Sequence, residues 1–234
     1  MQNTHSPVVM ISGAGGNLGQ AVAQHFAQKG ARLVLVARNR KALEAIAPEG
    51  DNVHYVLADL MQPDALQQGV AAAVKKLGSI DVLCNVAGGF HMGEPVHATP
   101  LNAWQQQYDM NVMTLLHTVQ AVVPHMLLQG RGKVVNVGAF ASRQGLADMG
   151  AYIAAKSAVS RITESMAAEL REKGINVNCV LPTIIDTPQN RAAMPDADPA
   201  RWVSPEKLAA VMAFLASEDA SAIHGASVPV TGLS

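Results

Sequence analysis

Tyr152 and Lys156, four residues apart, are the side chains of this sequence best suited to proton transfer. On a helix, positions i and i+4 lie one turn apart on the same face, so both side chains can point into one pocket. A fixed ammonium favours the phenolate and lowers a phenol pKa that is ordinarily about 10, which permits proton transfer near neutral pH. A packed tyrosine beside a solvated lysine has the same spacing, so the elements around the pair must decide between the two interpretations.

A glycine-rich segment near the N-terminus predicts a site for the phosphates of a dinucleotide. The apolar run 7–12 leads into Gly13-Ala-Gly-Gly-Asn-Leu-Gly19, and a helical stripe of Leu18, Val22 and Phe26 follows. Glycines let the backbone approach a pyrophosphate, and a helix N-terminus offers free amide donors and a partial positive charge. Glycine also suits an ordinary strand-to-helix turn, but strand, turn and helix here have the order that nucleotide binding requires.

Short apolar runs recur along the chain and predict seven strands. They span 8–12, 32–36, 53–57, 80–85, 133–137, 175–181 and 226–230. The stretches between the first six are long enough for helices, and strands joined by helical crossovers form a parallel sheet with helices on both faces. We therefore predict an α/β fold, a doubly wound parallel sheet, with its binding site at the carboxyl ends of the strands.

Composition and charge narrow the class of protein. The chain has 234 residues, of which 49% are hydrophobic and 15% charged, and its formal net charge is −1. This charge leaves no basic field for nucleic acid or anionic lipid, and the apolar excess predicts contacts between subunits. Without a long apolar span or a signal segment, we expect a cytoplasmic protein with neither membrane nor nucleic-acid partners. Cys84 and Cys179 fit buried free thiols, and the scattered histidines predict no metal site.

Several marks in order resemble the short-chain dehydrogenase/reductase family over nearly the whole chain. They are Ser12-Gly-x-x-x-Asn-Leu-Gly19, Asp59-Leu60, Asn85-Val-Ala-Gly88, Asn111, Tyr152-x-x-x-Lys156 and Leu181-Pro-Thr183 followed by Thr187-Pro188. The resemblance implies one Rossmann domain over residues 1–234 and an NAD(P)-dependent oxidoreductase acting on a small molecule. It further implies a dimer or homotetramer, paired through long helices predicted at Leu101–Gln129 and Ala151–Lys173.

The resemblance also assigns roles to individual residues. Tyr152 would give or relay a proton, Lys156 would hold the nicotinamide ribose, and Asn111 would hold a water in a relay with Lys156. If the family match is set aside, Asn111 fits equally well a polar residue that bends a helix. The cofactor contacts implied by the family are Ser12, Gly13, Asn17, Leu18 and Gly19 around the phosphates, Asp59 and Leu60 at the adenine, Asn85, Ala87 and Gly88 in the middle, and Pro182 and Thr183 at the nicotinamide.

The end of the second predicted strand favours NADP(H). NAD sites of this kind usually carry an acid there, which binds the ribose hydroxyls and repels a 2′-phosphate. This chain has Ala37-Arg38-Asn39-Arg40 instead, and an arginine can bind a phosphate through paired charged hydrogen bonds. We therefore predict NADP(H) with a contact from Arg38. The alternative is a pair of solvated arginines at the start of a surface helix, with NAD(H) as the cofactor.

The sequence departs from the family pattern at two positions. Asn17 stands where the glycine-rich turn usually has another glycine, and Asn tolerates left-handed backbone and can hydrogen-bond to a phosphate. Ala139 stands thirteen positions before the tyrosine, where the family carries a serine that donates to the substrate carbonyl. A donor of this kind contributes about 2.7 to 4 kcal/mol of transition-state stabilisation.

Three explanations for Ala139 stay open. Ser142 or His91 could supply the donor, the substrate could do without it, or the protein could be a dinucleotide-binding sensor without catalysis. The second explanation has a family precedent in the dihydropteridine reductases, which lack the serine and reduce a quinonoid ring; this chain is similar to them around Val86–Phe90 and Ile185–Trp202. Substrate contacts are expected from 90–100, 140–150 and the lid-like segment 184–202.

Overall fold

Seven parallel strands form one sheet in the computed structural model, which describes residues 6–234. The strands are β1 (Val8–Ser12), β2 (Arg32–Ala37), β3 (Val53–Leu57), β4 (Val82–Asn85), β5 (Gly132–Val137), β6 (Ile175–Pro182) and β7 (Ser227–Val230). Their order is β3-β2-β1-β4-β5-β6-β7, and every neighbouring pair is parallel. The predicted α/β fold is confirmed, because each predicted strand lies within two residues of its observed ends.

Helices cover both faces of this sheet. They are α1 (Asn17–Gln28), α2 (Arg40–Glu44), α3 (Pro63–Leu77), α4 (Leu101–Tyr108), α5 (Thr114–Gln129), α6 (Gly150–Leu170), α7 (Pro188–Ala193) and α8 (Pro205–Leu215). Successive residues of a strand point to opposite faces. In β1, Val9 and Ile11 accordingly pack with α1 and α8, whereas Val8 and Met10 pack with α3, α5 and α6. A central strand buried on both faces explains the continuous apolar run of β1.

Two of the predicted long helices differ in detail from the structure. Between α4 and α5, a π-helical turn over Asp109–Met113 interrupts what the sequence pattern predicts as a single helix. The second predicted helix ends earlier, because the chain tightens into a 3₁₀ turn over Arg171–Lys173 after α6. The apolar spacing continues through the π-helical turn, and no glycine or proline stands between Leu170 and Gly174 to mark the end of α6. The sequence pattern alone therefore could not reveal either change.

The sheet brings several chain segments to one crevice. The strand order reverses between β1 and β4, so consecutive crossovers leave in opposite directions and open a gap at the carboxyl edge. The turns that follow β1, β4, β5 and β6 all lie at this edge. No helix within 6–234 is long and apolar enough to cross a membrane. Cys84 and Cys179 are both buried and unpaired, as expected.

Candidate active site

Tyr152 and Lys156 lie one turn apart near the start of α6, as the sequence predicts. Lys156 is only 5% exposed, and its ammonium donates a 2.9 Å hydrogen bond to the carbonyl oxygen of Val137 at the end of β5. Burial disfavours the charged amine and lowers the Lys156 pKa to about 8. The amine is therefore mostly protonated at neutral pH, and its charge is held at the carboxyl edge of the sheet.

The Tyr152 side chain faces a cavity and contacts one aromatic neighbour. Its ring meets the Phe90 ring edge-on, with centroids 4.9 Å apart and planes at 84°. Among the described residues its hydroxyl has no hydrogen-bond partner and is free to meet a ligand. Burial raises the Tyr152 pKa to about 12. The expected lowering by Lys156 does not occur in this structure, because the ammonium is directed at Val137.

The cavity beside Tyr152 has a volume of about 1100 Å³ and lies across the carboxyl ends of β4, β5 and β6. Such a volume is large enough for a dinucleotide end and a small substrate together. Its walls are mainly apolar and come from the three segments that the sequence predicts for substrate contact. Lining side chains from these segments include Phe90, Met92, Phe140, Leu146, Ile184 and Met194.

The turn after β1 is built around glycines that have no room for a side chain. Gly13 has φ of +68°, and a Cβ there would lie 2.8 Å from the backbone of Ala87, so glycine is required on both counts. The Ser12 hydroxyl accepts hydrogen bonds from the amides of Val86 and Ala87 at 3.2 and 3.4 Å. These contacts fix the glycine-rich turn against the chain that leaves β4.

The helix that follows this turn begins without a side-chain cap. Gly16 is the N-cap residue of α1 and supplies no capping side chain, so the first amides of the helix point to the crevice with a partial positive charge. Asn17 is the first residue of α1 and does not have a positive φ, so its tolerance of left-handed backbone is not used. Its side-chain amide donates to the Gln189 side chain at 2.7 Å. Asn17 therefore connects the turn to α7.

The comparison with known proteins agrees with this geometry. The model of the short chain dehydrogenase family matches residues 7–198. This chain belongs to the short-chain dehydrogenase family.

Individual members of the family resemble the chain over almost its whole length. It is 36% identical to the meso-2,3-butanediol dehydrogenase of Serratia marcescens, over 96% of this chain and 93% of that protein. The structure of a xylitol dehydrogenase with NAD⁺ superposes with a TM-score of 0.89 at 27% identity, covering 99% of this chain and 100% of that one. The carveol dehydrogenase of Mycobacterium avium with NAD has the same score and identity, covering 99% and 98%. The chain is thus an NAD(P)-dependent oxidoreductase.

In this short-chain dehydrogenase, two arginines follow β2, and only one of them forms ion pairs with neighbouring side chains. Arg40 forms ion pairs with Glu44 at 3.7 Å and Glu49 at 3.0 Å, and it lies 5.3 Å from the Tyr55 ring centroid. Arg38 is exposed and has no polar or ionic partner within the described chain. An unpaired guanidinium at this strand end is available to an anionic ligand, whereas Arg40 stabilises the α2 region.

The residues that the family implies for the adenine and the middle of the cofactor lie after β3 and at the end of β4. Asp59 is exposed, and its carboxylate accepts from the Met61 amide at 2.9 Å. Leu60 is buried, with its carbonyl 2.7 Å from the His117 ring. Gly88 lines the cavity, but Asn85 does not. The Asn85 amide instead donates to the Asn136 side chain at 2.9 Å inside the sheet.

Ala87 does not line the cavity, although Val86 and Gly88 on either side of it do. Ala87 instead packs against the apolar core on the face of α3, α5 and α6. Its contribution in this structure is the tight approach to the glycine-rich turn after β1.

Asn111 lies in the π-helical turn and holds a loop of the cavity wall. Its side-chain oxygen accepts from the Gly89 amide at 3.1 Å, and its nitrogen donates to the Gly89 carbonyl at 3.1 Å and to the Gln107 carbonyl at 3.0 Å. A Cβ on Gly88 would lie 2.7 Å from the Asn111 oxygen. Asn111 therefore fixes the path of the chain in front of Lys156, which sequence reasoning did not predict.

Neither candidate for the missing serine presents a hydroxyl or ring to the cavity. Ala139 lines the wall and is 4% exposed. The Ser142 hydroxyl donates to the Ala139 carbonyl at 2.7 Å, so it is engaged in the turn that follows β5. His91 lies outside the cavity lining, 3.9 Å from the Glu94 carboxylate. The serine position thus has no substitute donor from either residue.

The segment 184–202 has more structure than its composition suggests. Thr187 caps the short helix α7 by accepting from the Asn190 amide. Asp186 holds Arg191 through two hydrogen bonds of 2.6 and 2.7 Å. Pro182 and Thr183 line the cavity next to this segment, and the Thr183 hydroxyl donates to the Thr231 carbonyl at 2.9 Å. The segment 184–202 is therefore held by its own contacts and forms one wall of the cavity.

Proposed function

We propose that this short-chain dehydrogenase is an NADP(H)-dependent reductase of a small carbonyl or quinonoid substrate, with Tyr152 as the proton donor. The observation that carries the proposal is the unpaired Tyr152 hydroxyl facing the cavity beside the buried Lys156 ammonium. Because burial raises the Tyr152 pKa to about 12, the phenol keeps its proton at neutral pH and can give it to a reduced substrate.

The residues around the crevice fit a nicotinamide dinucleotide. The close approach at Gly13 and the uncapped start of α1 offer backbone amides to a pyrophosphate. When bound, the dinucleotide supplies the hydride for the reduction. Lys156 would hold the ribose hydroxyls of the nicotinamide end, and the wall formed by Pro182 and Thr183 would orient its ring. Asn111, through Gly89, keeps the chain that follows β4 in place in front of Lys156.

Arg38 supports the choice of NADP(H). Its guanidinium is exposed at the end of β2 and has no ion-pair partner in the described chain, where a carboxylate would select NAD(H). A 2′-phosphate bound there would gain charged hydrogen bonds that the 2′-hydroxyl of NAD(H) cannot offer. The two related structures described above contain NAD, so the proposed preference for NADP(H) rests on this one side chain.

A quinonoid acceptor suits the cavity better than a simple ketone. Reducing a ketone builds a localised alkoxide, which in this family is met by the tyrosine together with the serine that Ala139 replaces. Ser142 is engaged elsewhere, so Tyr152 is left as the donor. A delocalised ring spreads the developing charge and needs no second donor. The similarity to meso-2,3-butanediol dehydrogenase favours a ketone or alcohol as the second candidate.

Turnover with a defined substrate panel tests the proposal. Consumption of NADPH is measured with quinonoid dihydropterin and with simple ketones, using the native protein and Tyr152→Phe. We expect NADPH consumption with at least one class, and a ketone activity that Tyr152→Phe lowers by about a hundredfold or more. Absence of consumption with every acceptor, or a Tyr152→Phe variant that keeps full ketone activity, would refute the assignment.

A further inference from the structure

One unpaired cation lies at the rim of the mainly apolar cavity. Within 6–234, the charged side chains that line this cavity are Lys156 and Arg143. The Lys156 ammonium lies at the floor and donates to Val137. Arg143 is exposed at the opening and has neither a hydrogen bond nor an ion pair with any described residue. Four other arginines have a carboxylate partner, namely Arg40, Arg131, Arg161 and Arg191. Arg38 also has no partner in the described chain, but it lies at the end of β2 and does not line this cavity.

The position of Arg143 is fixed by its surroundings. Its guanidinium carbon lies 5.1 Å from the centroid of the Phe140 ring, which is a cation–π contact on the cavity wall. Both residues belong to the 3₁₀ turn Phe140–Arg143, directly after Ala139. The Ser142 hydroxyl donates to Ala139, and the Ser157 hydroxyl donates to the Ser142 carbonyl at 3.0 Å, so the turn is tied to α6. Arg143 is therefore held at the rim with its hydrogen-bond donors unused.

We propose that Arg143 binds a carboxylate carried by the substrate, so that the enzyme prefers acidic aromatic or cyclic substrates over neutral ones. The apolar body would pack between Phe90 and Phe140, with the reducible group at Tyr152 and the acid at the rim. A planar guanidinium with five N–H donors matches a carboxylate in a two-bond arrangement. This specificity rests on the proposed function for the position of the reducible group, and the contact between Arg143 and the acid does not depend on turnover.

Two consequences separate this contact from a structural role of Arg143. Selectivity for an acid over its neutral amide should depend on the charge, so Arg143→Lys should keep part of it and Arg143→Met should lose it. The methionine keeps apolar contact with Phe140 and therefore preserves the wall. Because hydrogen bonds to charged groups are worth about 1.5 to 3 kcal/mol, the acid should gain roughly ten- to a hundredfold in affinity.

The experiment measures dissociation constants by calorimetry for 4-ethylbenzoate and 4-ethylbenzamide, which cannot be reduced, with the protein saturated with NADPH. The proteins are the native chain, Arg143→Met, Arg143→Lys and the matched control Arg171→Met, an exposed arginine after the far end of α6. In parallel, kcat and KM are measured for 4-acetylbenzoate and 4-acetylbenzamide. We expect the acid to bind at least tenfold more tightly than the amide in the native and Arg171→Met proteins, and equally in Arg143→Met.

Equal constants for acid and amide in the native protein, or undetectable binding of both, would overturn the inference. An acid preference that survives in Arg143→Met would overturn it as well. Failure of the proposed function has a different signature: no NADPH is consumed with any acceptor, while the binding preference and its loss in Arg143→Met are still measured. Where turnover occurs, the Arg143→Met change should appear in KM for the acid and leave kcat within about twofold.

Discussion

The Lys156 ammonium donates a 2.9 Å hydrogen bond to the carbonyl oxygen of Val137, the last residue of β5. This contact joins α6 to the carboxyl edge of the sheet and aims a buried amine at the crevice. Because the amine is removed from water, its pKa falls to about 8. The same burial that positions the charge therefore destabilises the folded protein, and this cost depends on pH.

The pH dependence of stability tests this cost through Lys156→Met. The folded pKa of about 8 lies below the ordinary lysine pKa of 10.5, so between these two values the unfolded chain binds more protons than the folded one. The free energy of unfolding that depends on Lys156 therefore rises with pH through this window, and the cost is fully present below pH 8. We expect the stability of Lys156→Met relative to the native protein to fall by about 3 kcal/mol between pH 7.5 and 10.5.

Urea unfolding at a series of pH values measures this difference. Lys75→Met is the matched control, because Lys75 is an exposed lysine on α3. Its stability curve should run parallel to that of the native protein. A Lys156→Met curve that also runs parallel would show that the buried amine is not linked to folding in this way.

Cofactor selection is tested by Arg38→Ala. If Arg38 binds the 2′-phosphate, its loss should weaken NADPH binding by about ten- to a hundredfold and leave NADH binding nearly unchanged. Dissociation constants for both dinucleotides are measured by fluorescence quenching. Arg40→Ala is the control, because Arg40 forms ion pairs with Glu44 and Glu49. This variant should lower the stability of the protein and leave the ratio of NADPH to NADH affinity unchanged. Equal affinities for the two cofactors in the native protein would contradict the NADP(H) assignment.

The sequence predicts the sheet well for a physical reason. A central parallel strand such as β1 is buried along its whole length, so it appears as a nearly continuous apolar run between turns. The Tyr152 and Lys156 pair is also predictable, because both residues lie on one helix face and their spacing alone fixes their proximity. Local patterns therefore predict what local geometry determines.

Contacts between distant segments could not be predicted in the same way. The bond from Asn17 to Gln189 joins residues 172 positions apart, and no periodicity encodes it. The Asn85 side chain turns into the sheet because Asn136 and Thr118 offer it buried partners, which only the strand register reveals. Arg143 lies in a segment predicted to contact substrate, but its lack of a partner is a property of the folded chain.

We expect the hydrogen bond between Asn17 and Gln189 to slow the release of the cofactor relative to variants that lack it. It joins the start of α1, where a pyrophosphate would bind, to α7 in the segment that covers the crevice. Asn17→Ala and Gln189→Ala should each raise the dissociation rate of NADPH by about two- to tenfold, as expected for one hydrogen bond. Stopped-flow displacement measures the rates.

The double variant gives the decisive comparison for this bond. If the two residues act through their mutual contact, Asn17→Ala with Gln189→Ala should release NADPH no faster than either single variant. Gln24→Ala, an exposed glutamine further along α1, is the control and should leave the rate unchanged. Rates that multiply in the double variant would show that the side chains act independently.

Assembly into a dimer or tetramer is predicted from the surfaces of α5 and α6. The outward stripe of α5 includes Leu116, Val123 and the 40% exposed Leu127, and that of α6 carries the small residues Ala154 and Ala158. Apolar and small faces of this kind suit a helix contact between identical subunits. We expect light scattering at micromolar concentration to give the mass of a dimer or tetramer.

Leu127→Glu places a charge in this contact and should shift the mass toward that of a smaller assembly. Leu57→Glu is the matched control, because Leu57 is 47% exposed but lies at the end of β3. The control should keep the native mass. A native protein that is monomeric at micromolar concentration would exclude the assembly.

The missing serine is tested by restoring a hydroxyl at Ala139 and removing the one at Tyr152. If the substrate is quinonoid, Ala139→Ser should change the native reaction little but raise kcat/KM on simple ketones by about tenfold or more, since a localised alkoxide gains a donor. Tyr152→Phe should lower ketone reduction severely and quinonoid reduction less, because a delocalised acceptor can take its proton from water. Both variants are measured on both substrate classes.

The control for this pair of variants is Ser142→Ala, which removes the other hydroxyl of the same turn. The Ser142 hydroxyl donates to the Ala139 carbonyl rather than to the cavity, so its loss should lower stability slightly and leave the ratio of ketone to quinonoid activity unchanged. If instead Ser142→Ala abolishes ketone reduction, Ser142 moves to supply the donor during turnover. If Ala139→Ser gains nothing on ketones while Tyr152→Phe removes both activities equally, the preference for a delocalised substrate is wrong.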